Sequence, residues 1–376
     1  MISKNSYMKI GILTYHFGTN FGGQLQCYAL MRTLENLGHK VCVINYVPFQ
    51  SGESLISDIK QGLRHIKKNR SIEGLITALY SILYSNAMRK SFALYKNIFL
   101  KIGPECSLLT FSNLYKDLDA VVVGSDQVWA PAHHKSAAYF FNFTPAFKGR
   151  KIAYAPCCAI NKLEDNKELI TKLLSEFSSI SVRNTETYNF VRSTIGITPP
   201  IVVDPTFLYE FNEFKSNVIP KTKYILTYIL GEEISDGHKT VIEKIRKEYG
   251  ELPVYSISLT SSKPHFFSWS DKTLWTLNPV DWVDLVRNAS FLYTDSFHGC
   301  VFALKFKTPF LAYYKEEIRA SRFIDLKQRY GLKNIINKVS EIDESLLSSL
   351  QPAMENYKII QRNIDNSLAF IIDSLS

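Results

Sequence analysis

Lys9-Ile10-Gly11-Ile12-Leu13-Thr14-Tyr15, followed by His16-Phe17-Gly18-Thr19-Asn20-Phe21-Gly22-Gly23, decides the fold class. The first stretch is an apolar run of strand length, the mark of a strand covered on both faces. The second is a glycine-rich turn. Cys27, Leu30, Leu34 and Leu37 then recur at helical spacing until Gly38 ends the helix. Val41-Cys42-Val43-Ile44 is the next strand. Strand, helix and strand in that order make a βαβ unit, so a parallel sheet begins here.

Working outward, Ala120–Val123, Lys151–Tyr154, Ile180–Val182 and Ile201–Val203 read as further strands, with helices over Leu163–Phe177 and Thr185–Ile195. Residues 206–222, with Pro220, read as a linker. Beyond it the pattern restarts. Strands are expected at Tyr224–Ile229, Val254–Ile257, Ser290–Thr294 and Pro309–Tyr313, with helices at Asp236–Tyr249 and Asp281–Ala289. The expected fold is α/β, with two Rossmann-like domains facing across a cleft. The first covers 1–215 and the second 216–345, and helices in 346–376 pack back on the first.

Residues 53–101 break the alternation. Leu55, Ile59, Leu63 and Ile66 are interleaved with Lys60, Arg64, Lys67, Lys68 and Arg70, and Arg89, Lys90, Lys96 and Lys101 follow. Two or three amphipathic helices inserted in the first domain are expected. They are either a cap with a solvated basic face or a docking surface for an anionic membrane or a lipid-linked substrate.

Of 376 residues, 46% are hydrophobic and 21% charged, enough for a sizeable core, and the net charge is +9. The excess favours acidic partners. It is dispersed rather than clustered, which argues against nucleic acid. The six cysteines form no CxxC pair, so reduced thiols in a cytoplasmic protein and no metal site are expected. Met1–Met8 lacks a signal peptide's apolar region, and Leu75–Met88 is too short to span a bilayer.

Four loops follow expected strands and share one rim in a doubly wound sheet: the Gly18–Gly23 turn, Gly124-Ser125-Asp126-Gln127, Arg183-Asn184, and Ser296-Phe297-His298-Gly299. The glycine turn fits neither the dinucleotide fingerprint nor a P-loop. In the last loop the run Phe291–Tyr293 stops and a helix starts at once, which makes an anion site with a titratable group inside it. His298 is therefore read as catalytic, with a capping or core histidine as the alternative. Asp126 is the second candidate, with helix capping at Gln127 as the alternative. Arg183 is the third, against a plain ion pair with Glu186. Asn20, Gly22, Gly23, Gln24, Ser125, Gln127, Ser296 and Gly299 are candidate substrate contacts, and Gly22 and Gly23 have a mere tight turn as their alternative. Trp129 is either core or a sugar platform.

Taken in order, these pieces resemble the polysaccharide pyruvyl transferase family. The matching stretches are Thr14–Leu30, Gly124–Trp129, Ser181–Arg183, Val203–Thr206, Thr294–Gly299 and Pro309–Phe310. The resemblance implies a GT-B-like fold. It also implies transfer of pyruvate from phosphoenolpyruvate to a sugar as a cyclic ketal, with no cofactor beyond that donor. The acceptor sugar would be lipid-linked, nucleotide-linked or polymeric, and a cytoplasmic protein, in part peripheral at the inner membrane face, is expected. Some members carry Arg-Leu-His where this chain has Ser296-Phe297-His298, and Arg322 is the candidate substitute for that arginine. An acidic residue often follows the family's arginine where Asn184 stands here. The alternatives are a glycosyltransferase using a nucleotide sugar and a non-enzymatic binder of anionic polymer or membrane.

Overall fold

The computed structural model describes residues 7–48, 72–158, 166–231, 237–258, 267–315 and 317–376. One compact unit takes in Met1–Pro48, Lys96–Glu210 and Lys358–Ser376, and the other Phe49–Tyr95 and Phe211–Tyr357.

The first unit is built on a six-stranded sheet in the order β3-β2-β1-β4-β5-β6. Its strands are β1 (Lys9–Leu13), β2 (Lys40–Tyr46), β3 (Ile102–Cys106), β4 (Ala120–Val123), β5 (Arg150–Ala153) and β6 (Ser179–Ile180). Every neighbouring pair is parallel. Helix α1 (Phe21–Asn36) starts earlier than the leucine spacing suggests, because Asn20 caps it by accepting from the N–H of Gly23. Gly22 and Gly23 thus lie inside its first turn, not in a loop. The carboxyl-terminal part of the chain returns to this unit, where Ser367 Oγ accepts from the N–H of Val203 at 3.0 Å and Arg150 donates to the carbonyl of Ser374.

The second unit repeats the plan. Its sheet runs β12-β11-β10-β7-β8-β9, all parallel. The strands are β7 (Ile225–Tyr228), β8 (Val254–Ile257), β9 (Lys272–Leu274), β10 (Phe291–Thr294), β11 (Phe310–Tyr313) and β12 (Ile335–Ile336). Numbered within each unit, both sheets have the strand order 3-2-1-4-5-6 of a doubly wound Rossmann sheet. The order of strand addition reverses between β1 and β4 in one unit and between β7 and β10 in the other. Ligands of such sheets bind at that reversal, beyond the carboxyl ends of the strands.

The helical segment is one helix in its described part, α2 (Ile72–Phe99), and up to Tyr95 it groups with the second unit rather than the first. The amphipathic pattern over Leu55–Arg70 lies outside the described residues. The remaining helices used below are α3 (Lys167–Ser175), α4 (Thr185–Ile195), α5 (His238–Tyr249), α6 (Pro279–Asn288), α7 (Phe297–Phe306), α8 (Glu317–Tyr330) and α9 (Met354–Leu375).

The core of the first unit packs Leu13, Val121, Val123 and Ala153 under an aromatic group that includes Trp129, Tyr139 and Phe140. Trp129 is fully buried, stacks on Phe140 and donates Nε1–H to the carbonyl of Tyr139 at 2.9 Å. It is a core residue and no sugar platform; emptying such a site costs about 3–5 kcal/mol.

Candidate active site

At the reversal in the first unit, the loop after β4 is gripped by side chains of β1's end and α1. Gln26 Oε1 accepts from the N–H of Ser125 at 3.1 Å, and Thr14 Oγ1 donates to the carbonyl of Ser125 at 2.9 Å. Gln26 Nε2 also donates to Thr14 Oγ1, closing the network. Gly124 has φ 111° and lies so close to the carbonyl of Tyr154 that a Cβ would strike backbone. The hydroxyl of Ser125 is buried and spent on the carbonyl of Ala155, so this side chain holds the loop.

Asp126 follows in the left-handed region, φ 72°, with no helix behind it to cap; only a 3-10 turn at Pro131–His133 comes later. Its carboxylate meets Arg183 Nη2 at 3.3 Å, and Arg183 Nη1 meets Asp204 Oδ2 at 2.7 Å. Arg183 is buried. Burial works against its charge, and neighbouring Cys157, Asp126 and Asp204 more than offset this, so its pKa is raised. It supports Asp126 from beneath.

Beside Asp126 stand two residues the sequence reading did not select. Tyr15 Oη donates to the carbonyl of Gln127 at 2.9 Å and is hydrogen-bonded to His133 Nε2. Burial, then the charge of Asp126, pushes the Tyr15 phenol up. Burial, then His134, pushes His133 down to about 4, so it is neutral near pH 7. Tyr15 ends the first apolar run and His133 follows the Gly124–Trp129 motif, but their pairing across the fold has no local signal. Gln24 Nε2 donates to the carbonyls of Phe17 and Gly18, while its buried Oε1 has no hydrogen-bond partner among the described residues. An orphaned acceptor there suits a hydroxyl donor.

In the second unit the loop after β10 is braced from within. Thr294 Oγ1 donates to the carbonyl of Tyr228 and accepts from the N–H of Ser296, and Ser296 Oγ accepts from the N–H of Gly299 as the cap of α7. Asp295 accepts from the N–H groups of Leu230 and Gly231 at 2.5 and 2.6 Å, joining β7's end to β10's end. A Cβ on Gly299 would lie 2.7 Å from Thr294 Oγ1, so glycine is needed there for packing.

His298 is buried in the first turn of α7, where no acidic residue stands. Its ring lies edge-on to Phe297, and the Arg322 guanidinium from α8 sits 6.0 Å from the centre of the Phe297 ring. The fold thus gathers Ser296, His298, Gly299 and Arg322 in one unit. It gathers Asn20, Gly22, Gly23, Gln24, Ser125, Asp126, Gln127 and Arg183 in the other.

Among the described residues no cluster of His, Cys, Asp or Glu is set to hold a metal ion, and all six cysteines are free thiols. Cys158 is buried against Thr187, and burial pushes its thiol up to about 12. No helix among the described residues is long and apolar enough to cross a membrane.

Two Rossmann-like units, each with a polar cluster at its reversal of strand order, define the class. Within it, the profile of the polysaccharide pyruvyl transferase family matches residues 20–314, and the chain belongs to that family. The fold is shared with the UDP-GlcNAc 2-epimerase of Neisseria meningitidis bound to UDP-GlcNAc, at 13% identity and a TM-score of 0.53, over 98% of this chain and 99% of that one. Arabidopsis thaliana UGT89C1 complexed with quercetin aligns with a TM-score of 0.48 at 10% identity, over 98% of this chain and 100% of that one. No curated protein matches the sequence.

Proposed function

We propose that this chain moves the pyruvate group of phosphoenolpyruvate onto two hydroxyls of a sugar as a cyclic ketal, in the assembly of a cell-surface polysaccharide. The observation that carries the reading is the family match, which runs from Asn20 to beyond His298 and so takes in the first cluster and Ser296–Gly299 of the second, with Arg322 lying beyond it. The chemistry of each cluster supports the roles.

In the second unit, the amino-terminal end of α7 and Arg322 suit the phosphate and carboxylate of the donor. His298 passes the proton that the methylene carbon gains as the enol becomes a methyl group. In the first unit, Asp126 accepts a hydrogen bond from the attacking hydroxyl, held in place by Arg183. Gln24, with Asn20, Gly22, Gly23 and Gln127, lines the sugar side. The first hydroxyl oxygen bonds to the C2 carbon, inorganic phosphate leaves, and the second oxygen closes the ketal. Of the two hydroxyl protons, one balances the methyl group and the other leaves with phosphate. No metal or organic cofactor is required by these steps. The acceptor we propose is a sugar, lipid-linked, nucleotide-linked or polymeric, and the reaction we propose runs in the cytoplasm or at the inner membrane face.

The test measures inorganic phosphate released from phosphoenolpyruvate across a panel of synthetic and lipid-linked glycosides. Calorimetric titration with phosphoenolpyruvate and with nucleotide sugars accompanies it. Acceptor-dependent phosphate release is expected. Binding and turnover of a nucleotide sugar, with phosphoenolpyruvate inert, would overturn the reading in favour of glycosyl transfer.

A further inference from the structure

A cyclic ketal takes two hydroxyls, and Asp126 accepts from one of them in the proposed reaction. A second acceptor stands on the same loop. The Tyr15 phenol has one proton, and it goes to the carbonyl of Gln127 at 2.9 Å. The bond between Tyr15 Oη and His133 Nε2 therefore uses the imidazole's proton, so Nε2–H donates and Oη accepts. Burial keeps this imidazole neutral near pH 7. A neutral imidazole carries one N–H, which leaves Nδ1 as a bare acceptor. Nδ1 has no hydrogen-bond partner among the described residues and is not sealed from solvent. The neighbouring His134 differs: its ring is buried, and its Nε2–H donates to the carbonyl of Trp129.

The His133 ring is held in place. Tyr139 lies edge-on to it with 4.9 Å between ring centres, and Tyr15 lies tilted against it at 5.5 Å. The Gln127 carbonyl that anchors Tyr15 also accepts from the N–H of Ala130, whose own carbonyl accepts from the N–H of His133. His133 is thus tied, by side chain and by backbone, to the residue after Asp126. A carboxylate and an imidazole nitrogen share one short loop beyond the carboxyl end of β4, where ligands of such sheets bind.

We propose that His133 Nδ1 accepts a hydrogen bond from the second sugar hydroxyl, the one that closes the ketal, while Asp126 accepts from the first. This assignment rests on the proposed reaction and deepens it. The phenol proton and the Nε2 proton are both committed, so the Tyr15–His133 pair offers a ligand no donor. It therefore selects a hydroxyl at that position against an ether or a carboxylate, which would face a lone pair. Gln24 Oε1 is braced on the carbonyls of Phe17 and Gly18 rather than on the Asp126 loop, and suits another hydroxyl of the same sugar.

Two variants of the full chain separate this contact from a bracing role. In His133→Asn the side-chain oxygen takes the place of Nδ1, so the acceptor is kept and the tie to Tyr15 is lost. In His133→Gln the amide nitrogen takes the place of Nε2, so the tie is kept and the acceptor is lost. Initial rates of phosphate release are measured near neutral pH, varying a synthetic glycoside and phosphoenolpyruvate in turn. His133→Gln is expected to lower kcat/KM for the glycoside about tenfold, and His133→Asn less than about threefold. The KM for phosphoenolpyruvate stays at the wild-type value in both. The reverse ranking, or equal losses, would make His133 a brace for Tyr15 and overturn the proposal. Wild-type glycoside kinetics in His133→Gln would overturn it too. In each of these cases the wild type still turns over, so the proposed reaction stands. A wild type that releases no phosphate with any glycoside would overturn the reaction itself and this contact with it.

Discussion

In the first unit the turn after β4 is held from outside, by Gln26 and Thr14 gripping both backbone groups of Ser125. In the second the turn after β10 is held from inside, by its own Thr294, Asp295 and Ser296. The electrostatics differ as well. The first cluster locks a buried arginine between two carboxylates. The second sets a histidine in the first turn of α7, which holds no acid, while Asp295 just before it is spent on the N–H groups of Leu230 and Gly231. One arrangement suits orienting hydroxyls and the other suits gripping an anion, although both stand at the same point of the same sheet topology.

The sharpest way to break this contrast is at His298. His298→Ala is expected to lower turnover by ~10²–10⁴-fold with the KM for phosphoenolpyruvate nearly unchanged, read by phosphate release. Near-wild-type turnover would leave the second cluster without a chemical role. Next in size, Asp204→Ala strands a buried guanidinium and should cost about 3–5 kcal/mol in denaturant unfolding. Asp126→Asn, at the more exposed end of the same network, should lose much less stability and most of the activity. The reverse ranking would make Asp126 the structural partner.

A pair of glycines refines the comparison. Gly299→Ala forces a contact with Thr294 and should cost about 1–3 kcal/mol of stability. At Gly23 a Cβ would meet nothing nearer than 3.8 Å. Gly23→Ala should therefore change stability by less than about 1 kcal/mol, and a raised KM for the sugar would report a ligand approaching that turn. Unaltered acceptor kinetics would remove Gly23 from the site. The smallest effect is a pH dependence confined to the first unit. His133 is depressed from 6.5 to about 4 in the fold, so its contribution is fully present above pH 6.5 and is lost as pH falls toward 4. The thermal midpoint should drop across that window and flatten in His133→Gln; an identical pH profile for the variant would refute the assignment.

The central strands were legible because burial on both faces demands unbroken apolar runs such as Ala120–Val123 and Phe291–Thr294. The edge strands β3, β9 and β12 were not. β3 contains Gly103 and Pro104, β9 has three residues and β12 two, so none carries a periodic signal. The turn at Ser296–Gly299 could be read because strand, cap and helix are contiguous in sequence. The partners of Arg183 could not, for Asp126 and Asp204 stand 57 and 21 residues away. Tyr15 and His133, 118 residues apart, meet for the same reason: the sheet brings strand ends together that sequence spacing does not connect.

The first unit is stitched from three separated pieces of chain, the last of them Lys358–Ser376. During synthesis its sheet strands emerge early, yet the N–H of Val203 must wait for Ser367. The second unit, whose last residue is Tyr357, is free of that delay. The unit that opens the chain is therefore closed by residues that follow the other unit's last segment, so its folding cannot run in simple chain order.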